Sequence, residues 1–173
     1  MRISTEAHGM NPGAAAFDKA VPRIAFVTAS LGRVTPIRHS ENLLLVGADD
    51  ISASAIPLLV RRLLLSPPVL STRIKRLCLH QSKGSGYPAA PMCLRDGLNI
   101  LEFYEFHKGR GAKDLVISCE YGKSRSVTTA SFLALLLEGH AVVNPRMPNL
   151  WVKDVLHRAL EVQAKTKTRG ATQ

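Results

Sequence analysis

Leu115-Val116-Ile117-Ser118-Cys119-Glu120-Tyr121-Gly122-Lys123-Ser124-Arg125-Ser126 is the stretch from which the rest of this chain can be read. Leu115 to Ile117 is an apolar, largely β-branched run suited to a buried strand, and Ser126 to Leu137 has a helix-like composition. The residues between them therefore join a strand to a helix N-terminus. At such a junction the N–H groups of a tight loop and of the first helical turn converge, and the helix dipole adds partial positive charge, so an anion is favoured. Cys119 stands at the loop's entrance in the same field, which can draw a thiol pKa from about 8.5 down to ~3.5 to 7.5. Arg125 adds a planar fork that can hold two oxygens of a phosphate at once.

Chance does not account for the pattern. At ordinary residue frequencies a match to Cys-x2-Gly-x2-Arg-Ser/Thr arises about once in two thousand cysteines, and this chain has three cysteines. Gly122-Lys123-Ser124 also imitates the end of a nucleotide-binding P-loop. That motif needs a glycine five residues before Gly122, where Ile117 stands.

The run resembles the signature loop of the cysteine-dependent protein tyrosine and dual-specificity phosphatases, usually His-Cys-x5-Arg-Ser/Thr. The resemblance is close over Val116 to Leu137 and extends as topology from about Ile24 to Val162. It implies Cys119 as nucleophile, Arg125 as the phosphate-binding arginine and Ser126 as the hydroxyl that stabilises the thiolate. Glu120, Tyr121, Gly122, Lys123, Ser124 and Arg125 would form the phosphate-binding loop. The implied fold is α/β, a phosphotyrosine protein phosphatase-like fold with a mostly parallel central sheet flanked by helices. The implied activity is hydrolysis of a phosphorylated protein or small phosphoester through a cysteinyl-phosphate, with no metal and no cofactor.

Two departures matter. Ser118 replaces the histidine that usually precedes the nucleophile, and the segment Gln81 to Pro91, where the family's aspartic general acid is expected, holds no carboxylate. Candidates for the acid are Asp50, Asp49 and His80, the last at the end of an expected strand. Asp96 is expected to face solvent, and Glu120 would oppose an anion unless turned away. Lys123 resembles the basic residue of phosphoinositide-directed members of the superfamily. Three alternatives accompany the main reading: a pseudophosphatase, which binds phosphate but lacks an efficient acid; a phosphoinositide-type phosphatase; and a rhodanese-like sulfurtransferase. The six-residue separation of Cys119 and Arg125, with a glycine between them, argues against the last.

The 173 residues suit one domain, expected over residues 21–165, with a flexible N-terminal arm at 1–20 and a basic C-terminal tail at 166–173. The arm lacks the apolar core of a signal peptide. The longest apolar stretch, Ile56 to Leu65, is interrupted by Arg61 and Arg62 and is well short of the roughly twenty residues of a membrane span. No membrane insertion is expected, and a cytoplasmic location is. Cys78, Cys93 and Cys119 have no metal-ligand spacing, which fits a reducing compartment.

The formal net charge is +10, and no acidic residue occurs from Ile51 through Arg95, where Arg61, Arg62, Arg73, Lys75, Arg76, Lys83 and Arg95 lie. Such a segment reads as a solvated basic face that draws in phosphorylated or polyanionic substrates. Aromatic residues able to stack bases are nearly absent from it, so nucleic acid is not the expected partner. Along the chain, Arg23 to Val27 and Asn42 to Val46 read as strands, as does Arg73 to His80, with Cys78 buried and inert inside it. Helices are expected over Ser54 to Leu65, Met92 to His107, Ser126 to Leu137 and Asn149 to Lys165. Asn144-Pro145, between the last two helices, also looks like the dual-specificity pattern.

Overall fold

The computed structural model describes residues 1–8, 20–27, 37–82, 90–139 and 148–170. Lys83 and Asn144-Pro145 lie outside the described residues, as does most of the expected loop Gln81 to Pro91. The elements are β1 (Arg2–Ala7), β2 (Arg23–Val27), β3 (Ile37–Ser40), β4 (Leu43–Gly47), α1 (Leu58–Leu64), α2 (Pro68–Ser82), α3 (Leu94–Gly109), β5 (Asp114–Cys119), α4 (Arg125–Leu137) and α5 (Leu150–Gly170).

The strands form one sheet in the order β1-β5-β2-β4-β3. Among the described residues, pairing is parallel from β1 through β4 along that order, and only β3 runs antiparallel, at the edge. β2 and β4 are buried along their whole length, which explains the unbroken apolar runs Ile24 to Val27 and Leu43 to Val46: a parallel strand covered on both faces has no polar side to show. One face presents Ile24, Phe26, Leu44, Val46 and Ile117 to the main core, together with Trp151, Val155 and Leu156 of α5. The other gathers Ala25, Val27, Leu43 and Leu45. α4 packs on β1, β5 and β2, while α3 reaches β4 and lies against α5. That last contact is tight because Gly97 is there: a Cβ on it would come within 2.9 Å of Ala159 Cβ.

Several expectations are corrected. The supposed arm begins with a strand, β1, whose only buried residue is Ile3. Its order comes from the ladder with β5, from Arg2↔Asp114 to Ala7↔Cys119, and from side-chain pairs Arg2 Nε–Asp114 Oδ1 at 2.6 Å and Arg23 Nη1–Glu6 Oε2 at 2.8 Å. The supposed C-terminal tail is helical as far as Gly170. The expected helix Ser54 to Leu65 is broken, with Ala53–Ala55 a single 3-10 turn and α1 starting only at Leu58. Pro57 causes the break by holding Ile56 extended, at φ −104° and ψ 121°.

Arg73 to His80 is helix, not strand. Pro68 is the first residue of α2, where its missing N–H costs nothing and its fixed φ suits the helix. Ser71, Lys75 and Leu79 are buried at four-residue spacing, as one face of a helix requires. Cys78 is consequently half-exposed on α2 rather than inside a strand. Neither Lys75 nor Asp96 faces solvent: Lys75 Nζ donates to Asp96 Oδ2 at 2.6 Å with both side chains fully buried. Asp96 Oδ2 also accepts the Cys93 N–H at 2.8 Å, capping α3.

Candidate active site

Cys119 ends β5 and Arg125 begins α4, so the loop between them lies outside the carboxyl end of a strand flanked on both sides by parallel neighbours, where open α/β sheets bind ligands. The loop turns tightly, with Gly122 N–H donating to Cys119 O at 3.2 Å. Gly122 has φ +65°, and a Cβ there would meet the backbone of Ala7 at 3.0 Å and of Glu6 at 3.1 Å. Glycine is needed both for the left-handed conformation and for the close passage of β1. His8 N–H, just past β1, donates to Cys119 O at 3.2 Å. The N-terminal strand thus buttresses the loop.

The Cys119 thiol is buried, and its Sγ lies 3.0 Å from Ser126 Oγ. Burial is the largest single influence on it and opposes ionisation. The Ser126 hydroxyl, the N–H groups of Ser126 and Ser124 and the charge of Arg125 act the other way and together prevail, so the thiol pKa is lowered. Ser118, where the resemblance expects histidine, is fully buried. Its hydroxyl has no hydrogen-bond partner among the described residues.

Arg125 is only 3 % exposed. Its Nη1 donates to Ala48 O, just beyond β4, which pins the guanidinium across the end of the sheet. Its buried Nε has no partner among the described residues. A buried guanidinium N–H left unpaired is costly, and the same side chain borders a cavity. That cavity, about 520 Å³, is lined by Cys119, Arg125, Ser124, Lys123, Tyr121 and Asp50, with Ser52 to Ser54 and Pro148 to Leu150 forming other walls. Glu120 is not part of the lining. It hydrogen-bonds instead to exposed Tyr121, whose phenol pKa it raises.

The three candidate acids separate. Asp50 lines the cavity; its Oδ1 accepts from Ser124 Oγ at 2.8 Å and from Asn149 Nδ2 at 2.6 Å. Asp49 Oδ2 accepts the Ala90 N–H at 2.6 Å, and Asp49 N–H donates to Ala90 O at 2.9 Å, so this carboxylate is engaged in fastening the segment before α3. His80 is exposed on α2 and is not among the lining residues.

Asn149 was not foreseen as part of the site. Its Oδ1 caps α5 by accepting Val152 N–H at 3.0 Å, its Nδ2 holds Asp50, and its own N–H donates to Thr128 Oγ1 of α4 at 2.9 Å. The local signal for the cap was present, an asparagine ahead of an apolar-periodic helix. Nothing in the sequence tied it to Asp50. Among the described residues no cluster of histidine, cysteine or carboxylate side chains suits a metal ion, and no helix is long and apolar enough to cross a membrane. Compared with known proteins, the chain matches no family model, no curated protein and no solved structure.

Proposed function

We propose that this chain hydrolyses phosphate monoesters through a cysteinyl-phosphate intermediate, with protein phosphotyrosine as its simplest substrate. The observation that carries the reading is the pairing, in one cavity, of a buried thiol with lowered pKa and a buried arginine whose Nε has no partner among the described residues. A phosphotyrosine phosphatase-like fold is supported by the mostly parallel sheet with the cysteine at the C-terminal end of an interior strand.

In the first step the Cys119 thiolate attacks phosphorus in line; the S–P bond forms as the ester O–P bond breaks. Arg125 and the loop N–H groups complement the charge on the equatorial oxygens, a preorganised electrostatic contribution. Water then attacks phosphorus, its proton passing to the carboxylate that protonated the departing oxygen in the first step, and the S–P bond breaks to release the thiolate, stabilised by the Ser126 hydroxyl at 3.0 Å. Asp50 is the residue we assign to protonating the departing oxygen, because it alone of the three candidates lines the cavity with Cys119.

A second reading, a phosphate-binding module with poor turnover, is favoured by the tethering of Asp50 Oδ1 to Ser124 and Asn149. Kinetics on phosphate esters with leaving groups of rising pKa decide between the two. Hydrolysis assisted by Asp50 gives a shallow dependence in the wild type that becomes steep in Asp50→Asn, with phosphotyrosine slowed ~10² to 10⁴-fold. An equally steep dependence in both proteins selects the second reading. Turnover should vanish in Cys119→Ser with vanadate binding retained; full activity in that variant would overturn the hydrolytic mechanism.

A further inference from the structure

α2 is built with its polarity reversed on two sides. Its inward face buries Ser71 and Lys75 beside Leu79, whereas Val69, Leu70 and Leu77 point outward at 70, 42 and 55 % exposure. Arg73, Arg76 and His80 are also exposed. At roughly 100° per residue these six outward positions fall within an arc of about 120°. α1, packed against α2, repeats the arrangement. Leu58 and Leu59 are 63 and 67 % exposed, with exposed Arg62 following them at the same spacing as Val69, Leu70 and Arg73.

From this surface we infer that the α1–α2 pair docks peripherally on a bilayer containing anionic phospholipid. Aliphatic side chains interleaved with arginines suit that boundary, because the chains enter the acyl edge while the long arginine stems let their guanidinium groups reach phosphates. The charge is one-sided, since no carboxylate occurs from Ile51 through Arg95. A second copy of the chain is a poor occupant for the same reason: it would set Arg62, Arg73 and Arg76 against their own kind. Ser52 to Ser54, just ahead of α1, line the cavity that holds Cys119. Docking would therefore hold the cavity close to the headgroups, although the inference does not depend on the cavity's chemistry.

The experiment is co-sedimentation of the full chain with phosphatidylcholine vesicles, with and without phosphatidylserine. Binding is expected only with phosphatidylserine. The triple variant Arg62→Gln, Arg73→Gln, Arg76→Gln should lose on the order of 100-fold in affinity. Leu70→Ser with Leu77→Ser should lose on the order of 10-fold. All these side chains are exposed or partly so, and unchanged melting curves verify that the variants fold. Lys153→Gln, Lys165→Gln and Lys167→Gln remove the same charge from exposed positions on α5 and should cost only a few-fold. Equal losses from the two triples would overturn the proposal in favour of attraction by net charge alone. So would failure to bind phosphatidylserine vesicles, a dimer mass abolished by the leucine variants, or leucine-dependent retention on polyglutamate in preference to vesicles.

Discussion

Cys93 and Cys119 are both buried and both thiols face helix N-terminal N–H groups, Cys93 as the N-cap of α3 and Cys119 from the end of β5 toward Ser124 and Ser126 at the start of α4, where such groups favour a thiolate. Their thiols nevertheless move in opposite directions. Cys93 is pushed up to about 11, by burial first and then by the Asp96 carboxylate, with Lys75 and two backbone N–H groups pulling more weakly the other way. At Cys119 burial is again the largest influence, but the remaining neighbours are the Ser126 hydroxyl, two N–H groups and Arg125. The cations differ in the same sense. Lys75 is paired with the Asp96 carboxylate at 2.6 Å, while Arg125 has no carboxylate partner among the described residues and keeps Nε unpaired there. A buried cation already neutralised by a carboxylate closes a core. One left with an open donor beside a cavity retains hydrogen-bonding capacity that the fold itself has not used.

Breaking the closed pair should have the largest effect. Asp96→Ala leaves Lys75 buried and unpaired and removes the α3 cap, and should destabilise the fold by about 3 to 5 kcal/mol. Replacing both members, Lys75→Met with Asp96→Leu, should recover much of that loss. Denaturant unfolding of the two variants checks this. A cost for Asp96→Ala no larger than about 0.5 kcal/mol, as at a surface site, would remove the structural half of the comparison.

At the open site, Arg125→Lys keeps the charge and loses the fork, so kcat/KM for an aryl phosphate should fall on the order of 10² to 10³-fold with little change in melting temperature. Unchanged kinetics would relegate Arg125 to a structural role like that of Lys75.

The smallest effect sharpens the thiol contrast. Under a limited iodoacetamide pulse at pH 6, Cys119 should label well ahead of Cys78 and Cys93, whose thiols are both raised by burial. Ser126→Ala should move the inflection of Cys119 labelling upward, because the hydroxyl favours the ionised sulfur. The sign follows from the chemistry: a lowered pKa keeps the thiolate populated as pH falls, so the variant should lose reactivity first on the acid side. Equal labelling of all three cysteines would mean the loop does not favour the thiolate.

The sequence by itself determined the loop and its flanks, since everything that specifies them is contiguous. An apolar run makes β5, Gly122 permits the turn, and Cys119, Arg125 and Ser126 are carried within eight residues of one another. The buried strands β2 and β4 were legible for a similar reason, their composition recording burial on both faces. Tertiary structure decided what composition could not encode. RISTEA becomes a strand because β5 offers it a ladder more than a hundred residues away. Residues 73–80 wind into α2 because Lys75 meets Asp96, 21 residues on, in a closed core, whereas Ile74, Leu77 and Leu79 read as strand residues reaching a core. Nothing local sets Asp50 apart from Asp49 and His80; only the fold brings Ser124, 74 residues later, and Asn149, 99 residues later, onto its Oδ1 at the wall of the cavity. Periodicity and propensity act over one or two turns of chain, while these choices were made by burial and charge pairing between segments whose neighbourhood exists only once the sheet has formed.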